Sequence, residues 1–273
     1  MKLLFEDLAK TQFTSARVQK LKNWVEHADS ARKSGNLDKF ANQYDKAEEL
    51  ITFYTFAPML LRQDKLEMVN DVLKLAKINK PAIGELSLTI EKPLPCPEGY
   101  LSWLKDEALK INPVRYVREQ AVNHQKRNKT LETATHVDAV IKTGNFVIFV
   151  EMKFTSDIST DTTFNPYRNQ LARLIDVGTE IARTQGKKLI VLLATPSGLF
   201  RNKSRLYFYK IQDYSSSAEI QKDIVWRKQE EIEKHVLAVK WISLEELIKI
   251  LYKGLGHADK EEAMVFFRER NLV

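Results

Sequence analysis

The sequence predicts an α/β protein, with an α-helical N-terminal domain over residues 1–90 and an α/β domain over residues 98–273. The core of the second domain is expected to run helix, three-strand meander, helix, strand. Three observations carry this expectation. Apolar residues recur at three- and four-residue spacing through roughly the first 80 residues, the mark of amphipathic helices. Two stretches rich in β-formers flank Lys142-Thr143-Gly144-Asn145, a turn, which makes an antiparallel hairpin of Thr133–Ile141 and Phe146–Phe154. Lys187–Ala194 is a short, nearly continuous apolar run of the kind that is buried on both faces of a sheet.

The elements follow in order. Val18, Leu21, Val25 and Ala28 line one helix, and Phe40, Tyr44, Ala47, Leu50, Ile51 and Tyr54 line a second, with Ser34-Gly35-Asn36 as the break between them. A third helix runs from an Asp64 cap to Lys77. Lys80-Pro81 and the run Lys92-Pro93-Leu94-Pro95-Cys96-Pro97 suit neither a helix nor a central strand, so the domain boundary is expected there. Glu98–Lys110 reads as a helix bearing Tyr100, Trp103, Leu104 and Ala108, ended by Asn112-Pro113. The valines and Tyr116 of Val114–Val122 favour a first strand ahead of the hairpin. A helix over Pro166–Thr184 carries Leu171, Leu174, Ile175, Val177 and Ile181 on its apolar side. Strands are expected at Leu206–Ile211 and Val236–Ile242, and Ser243-Leu244-Glu245-Glu246 supplies a capping box for a last helix.

Composition narrows the function classes. The single cysteine, Cys96, excludes an internal disulfide framework and a cysteine-based zinc site. His27, His124, His136, His235 and His257 show no HExxH or paired spacing, and no Walker-type phosphate loop occurs. Acids in the first residues and short apolar runs predict a cytoplasmic protein with no membrane partner. The net charge of +7 is mild, but Ile181–Gln212 holds seven basic residues and no acid. A one-sign block of this kind suits either a polyanion such as nucleic acid or a solvated surface.

The hairpin carries the chemistry. Alternation along a strand sends Glu151 and Lys153 to one side and Val150, Met152 and Phe154 to the other. On the facing strand His136 and Asp138 share a side, so the turn at Gly144 can bring Asp138 beside Glu151 and Lys153. Two carboxylates suit a hard divalent cation such as Mg²⁺ or Mn²⁺, which retains water and meets phosphate. A nearby lysine, whose pKa such a site readily depresses, can orient or deprotonate that water.

His136-Val137-Asp138 and Phe149-Val150-Glu151-Met152-Lys153, with twelve residues between Asp138 and Glu151, resemble the PD-(D/E)xK nuclease superfamily, which includes restriction endonucleases, RecB-like nucleases and Holliday-junction resolvases. The resemblance spans residues 98–212 and implies a restriction-endonuclease-like core and an Mg²⁺-dependent DNA endonuclease of restriction, defence or repair type, with Mn²⁺ able to substitute. It implies Asp138, Glu151 and the Met152 carbonyl as metal ligands, Lys153 as the water-activating lysine, and Gln170 as the glutamine that the family often places on the following helix. It also implies a glutamate on the first core helix, at Glu98 or Glu107. The chain departs from the RecB-like QxxxY element, with Leu174 in the tyrosine's place, and no proline directly precedes Asp138.

Double-stranded DNA is the expected partner, with His136, Arg168, Arg173, Arg201, Lys203 and Arg205 as candidate contacts, and a homodimer is an option. Arg168 and Arg173 have the alternative of pairing with Asp176 and Glu180. Two other readings of the whole chain stand beside the endonuclease: a catalytically inactive nucleic-acid-binding member of the same fold, and a resolvase-like enzyme. A third makes the hairpin charges a structural ion pair.

Overall fold

The computed structural model describes residues 3–34 and 47–273, except the side chains of Arg32 and of residues 257–259. The expected helical positions Phe40 and Tyr44, and the break at Gly35-Asn36, lie outside the described residues. The chain is a mixed α/β protein with helices on both sides of one sheet. Helices α1 (Glu6–Gln12), α2 (Ser15–Ser34), α3 (Glu48–Leu61) and α4 (Lys65–Leu75) lead into strand β1 (Ser87–Leu94). Helices α5 (Glu98–Ile111) and α6 (Arg115–Lys126) separate it from β2 (Thr135–Lys142) and β3 (Phe146–Met152). Then come α7 (Gln170–Thr184), β4 (Lys188–Thr195), α8 (Ser197–Phe200), α9 (Leu206–Asp213), α10 (Ser217–Asp223), α11 (Gln229–His235), β5 (Val236–Ser243), α12 (Leu244–Leu251) and α13 (His257–Arg268).

The five strands lie in the order β1-β2-β3-β4-β5. The first three form an antiparallel meander, and β3, β4 and β5 run parallel. Every residue of β3 is buried, as is all of β4 but Lys188. That is what helices on both faces require of central strands. On one face Ile141, Ile148, Val150, Ile190 and Leu192 meet Leu50, Phe53 and Phe56 of α3, Val69 and Val72 of α4, and Leu247 and Leu251 of α12. On the other, Val147, Phe149, Leu189, Val191 and Leu193 meet Leu171, Leu174 and Ile175 of α7 together with Tyr207, Tyr214 and Ile232. Each such side chain, fully buried, contributes about 1.5–3 kcal/mol. Helix α7 lies so close to the sheet that a Cβ on Gly178 would stand 2.4 Å from Leu189 Cδ1.

Four sequence expectations change. The proline-rich segment at the expected boundary begins inside β1, which ends at Leu94, and the N-terminal helices pack directly onto the sheet in one continuous core. A strand can hold Pro93 here because β1 is the sheet edge, where an absent N–H costs no ladder bond on the open side. Val114–Val122 forms helix α6, not the first strand: Asn112 Oδ1 accepts from Val114 N at 3.0 Å to open a helix. Val117 and Ala121 then pack at helical spacing against Tyr100, Leu104 and Phe164. Leu206–Ile211 is likewise helical, because Asp157 takes the N–H groups of Leu206 and Tyr207 and caps α9. Finally, α7 starts at Gln170, not Pro166, since Asn169 Oδ1 accepts from Ala172 N at 3.0 Å. Asp64 precedes α4 as expected, but its carboxylate pairs with Arg62 and caps no N–H.

Candidate active site at the carboxyl end of β3

The hairpin opens at one end, and the opening makes the site. Registered pairing of β2 with β3 reaches Ala139↔Val150. Beyond that pair the Asp138 side chain bonds β3 itself, Oδ2 accepting from Met152 N at 2.6 Å. Glu151 and Lys153 alternate with buried Val150 and Met152, and their side chains meet, Lys153 Nζ lying 2.8 Å from Glu151 Oε1. Lys153 N donates to Ala194 O at 2.9 Å, which holds the strand end against β4. Gln170, the first residue of α7, donates from Nε2 to Glu151 Oε1. The structure thus brings together Asp138, Glu151, Lys153 and Gln170.

Other residues in the cluster were not picked out from the sequence. Glu48, in the first turn of α3, lies 3.3 Å from Lys153 Nζ through Oε2, while its Oε1 accepts from Phe154 N at 3.0 Å and Ser156 Oγ at 2.6 Å. Arg17 of α2 pairs with Glu49 and, at 3.0 Å, with Glu91 Oε2. Glu91 sits in β1 with φ +52, a left-handed conformation that non-glycine residues seldom adopt, and is left out of the ladder between Ile90↔Ala139 and Lys92↔Val137, whose register continues unchanged. Its carboxyl faces Asp138. The sequence signal for Glu48 was slight: two adjacent acids opening a strongly apolar helix also fit ordinary stabilisation of a helix N-terminus. Glu98 and Glu107 do not occupy this place. Glu98 is exposed, and Glu107 pairs with Lys110 at 2.6 Å.

Five carboxylates (Glu48, Glu49, Glu91, Asp138, Glu151) therefore share two cations, Lys153 and Arg17. Burial and the neighbouring Glu91 charge push the Asp138 carboxyl up to about 8, against the pull of Lys153 and the Met152 N–H. Burial and the Asp138 charge push Glu151 up to about 8 as well. Burial also raises Glu91, with Arg17 opposing. Burial works against the charge on Lys153, but Glu151, Glu48 and Asp138 outweigh it and hold the ammonium protonated well above its ordinary range. The expected depression of the Lys153 pKa is reversed, because the carboxylates around it are too many and too close.

The donor set bears on a hard cation. Glu151 Oε2 is buried without a hydrogen-bond partner. An orphaned carboxylate oxygen beside a second strained carboxylate is the chemistry that a divalent cation satisfies. Against that, no three His, Cys, Asp or Glu side chains gather at metal-ligand spacing among the described residues. A cation here needs Asp138 and Glu151 to be completed by a backbone carbonyl, such as that of Met152, and by water.

The predicted nucleic-acid contacts divide. Exposed His136 lies on β2 opposite Pro93. Arg173 is half-buried, Nη2 donating to Ser159 Oγ at 3.2 Å, and Ser159 O in turn accepts from Gln170 N. Arg201 and Lys203 are exposed in the connection after β4. Arg205 closes that connection onto the residues after β3, donating to Thr155 O at 2.8 Å. Arg168 does not face solvent at all. It is 1% exposed, locked between Glu132 at 3.0 Å and Asp176 at 2.8 Å over the Tyr100 ring, so the pairing alternative is the right one and the phosphate role falls. The acid-free block also disperses. Lys187 and Lys188 bond carbonyls at the other end of the sheet, Arg183 pairs with Glu180, and Lys210 pairs with Asp223. Among the described residues no helix is long and apolar enough to cross a membrane. Comparison with protein-family models, with curated proteins and with solved structures finds no match for this chain.

Proposed function

We propose that the chain is a divalent-cation-dependent nuclease, a DNA endonuclease of restriction, defence or repair type built on a restriction-endonuclease-like core. One observation carries the reading: a buried glutamate with an orphaned oxygen, Glu151, shares a cluster with Asp138 and Lys153 at the open end of a hairpin. The sheet supports it: β1, β2 and β3 lie side by side as an antiparallel meander followed by α7 and β4, with α3 in the place of the first helix, α4 after it, and α5 and α6 inserted between β1 and β2. The first residues of α3 and α7, Glu48 and Gln170, both reach the cluster, so two helix N-termini favour negative charge there.

In this reading Asp138, Glu151 and the Met152 carbonyl hold Mg²⁺ or Mn²⁺. The ion supplies a water of lowered pKa and neutralises charge on the phosphate. Gln170 fixes one Glu151 oxygen and leaves the other free. Lys153, held charged by Glu151 and Glu48, is a hydrogen-bond donor that orients the attacking water or steadies a phosphate oxygen. That is a different task from the general base expected from sequence. The basic side chains of Arg201, Lys203 and Arg205 after β4 serve backbone phosphates.

The test is cleavage of plasmid and linear DNA with and without Mg²⁺ or Mn²⁺. The wild-type chain is expected to cut only with the ion, and Glu151→Gln and Lys153→Ala each to lower the rate by about 100-fold or more while DNA binding persists. Cutting at the wild-type rate by both variants overturns the reading. That no three-side-chain metal cluster occurs among the described residues favours the non-cleaving member as second reading, for which the same assay shows binding without cleavage under either ion.

A further inference from the structure

Helices α5 and α6 leave and re-enter the sheet at the site end. They are inserted between the last residue of β1 and the first of β2, and those residues pair, Leu94 with Thr135. Antiparallel pairing of β2 with β3 puts that end beside the carboxyl end of β3, where Glu151 and Lys153 lie. The insertion is also fastened to the site's own chain. Residues 154–169 join Lys153 to Gln170, and Phe164 within them packs into the small core of Tyr100, Leu104, Ala108 and Ala121. His124 of α6 meets the Phe164 ring edge-on at 5.2 Å, and Asn165 Nδ2 donates to Tyr100 Oη at 3.4 Å.

The outer face of α6 is basic. Arg115, Tyr116, Glu119, Asn123 and Lys126 are its exposed positions, continued by Arg127 and Lys129 in the turn that follows. Glu119 is the one acid from Asn112 to Thr130, and it pairs with Arg115. Among the described residues Lys126, Arg127 and Lys129 stand in no ion pair. The Tyr116 ring, in the first turn of the same helix, is 68% exposed. The twelve residues of helix from Arg115 to Lys126 span about 16 Å from first to last, the length of roughly five nucleotide steps of one duplex strand.

We propose that the exposed face of α6 with the turn after it is a phosphate-binding arm, through which Lys126, Arg127 and Lys129 grip the backbone of a DNA duplex flanking the candidate active site. The proposal rests on the nuclease reading for its choice of partner. It adds an element that the sequence motif does not contain, on a segment whose sequence suggested a strand. The grip is electrostatic and indifferent to base sequence, so it governs affinity and its salt dependence and leaves the chemical step alone.

Duplex DNA is titrated in EDTA across a salt series against the wild type, against the triple variant Lys126→Gln, Arg127→Gln, Lys129→Gln, and against a control, Lys80→Gln with Lys234→Gln. The control lysines are exposed and precede the opposite ends of β1 and β5. Because the three arm positions are exposed and unpaired, the triple variant should melt with the wild type. Its slope of log affinity on log salt should fall by about 2.7, or about 0.9 per lost phosphate contact, while the control keeps the wild-type slope. An unchanged slope in the triple variant, or an equal fall in the control, overturns the arm. If the wild type cuts DNA and the triple slope is unchanged, the arm fails and the nuclease reading stands. If the slope falls but no ion supports cleavage, the arm stands and the nuclease reading fails. A wild-type chain that neither binds nor cuts DNA overturns both.

Discussion

Two groups of buried charge lie at either end of the segment leading into α7, and they differ in one respect. Around Arg168 the fully buried charges balance, Arg168 and Arg227 against Glu132 and Asp176: Arg168 Nη2 makes no hydrogen bond but lies 2.8 Å from Asp176 Oδ2, and Arg227 joins Asp176 while also reaching the half-buried Glu180 and Glu231. Tyr100 Oη donates to Glu132 at 2.7 Å and Trp226 Nε1 to Asp176 at 3.1 Å, so the carboxylates are saturated by donors. Around Glu151 the carboxylates outnumber the cations and one buried oxygen has no donor. Burial of charge is therefore not what marks a candidate site, because the deeper Arg168 group is structural. Imbalance marks it: a balanced group holds a fold together, and an unbalanced one is completed by protons or a bound cation.

The largest effect should come from the balanced group. Arg168→Ala leaves Glu132 buried with no cation and Asp176 with Arg227 alone, and should cost about 3–5 kcal/mol in a denaturant melt at neutral pH. A variant as stable as the wild type would erase the contrast between the groups. Glu151→Gln should do the opposite. The Glu151 carboxyl, at about 8 in the fold, lies above its ordinary 4.5, so its contribution to stability is complete below 4.5 and drains away as pH rises through about 8. Each pH unit realised in that window is worth about 1.4 kcal/mol. Melting curves without divalent ions from acid to alkaline pH should show the wild type losing stability and Glu151→Gln losing less, so that the variant melts higher at alkaline pH. A variant that melts lower there would make Glu151–Lys153 a structural ion pair like the Arg168 group. The smallest effect sharpens the comparison. Mg²⁺ at ten times its dissociation constant should stabilise the wild type by about 1.4 kcal/mol and leave Glu151→Gln unmoved. Equal shifts in both chains would place the ion elsewhere.

The helix after the hairpin, the hairpin itself and the apolar β4 are legible in the sequence because each signal is local. A turn at Lys142–Asn145, alternation at Val150–Lys153 and an unbroken apolar run need no knowledge of the rest of the chain. Asp138, Glu151, Lys153 and Gln170 share these elements and could be read with them. The errors fall where tertiary context outweighed propensity. The valines of Val114–Val122 suggested a strand, but Val117 and Ala121 found a helical partner surface. Leu206–Ile211 turned helical because Asp157, far back in the chain, caps it. Pro93 argued against a strand and did not reveal that β1 would be an edge.

By itself, then, the sequence determined the alternation that puts Glu151 and Lys153 on one side of a strand, and the turn that returns that strand to Asp138. Those are properties of neighbouring residues, set by backbone geometry within a few peptide units. Only the tertiary structure decided that Glu48, 105 residues from Lys153, completes the charge cluster, and that Arg17 bridges Glu49 and Glu91 behind it. It also decided that Lys153 is held as a cation and that Arg168 belongs to the interior. A side chain's charge state and accessibility depend on everything that packs within a few ångströms of it, and packing is a property of the whole fold.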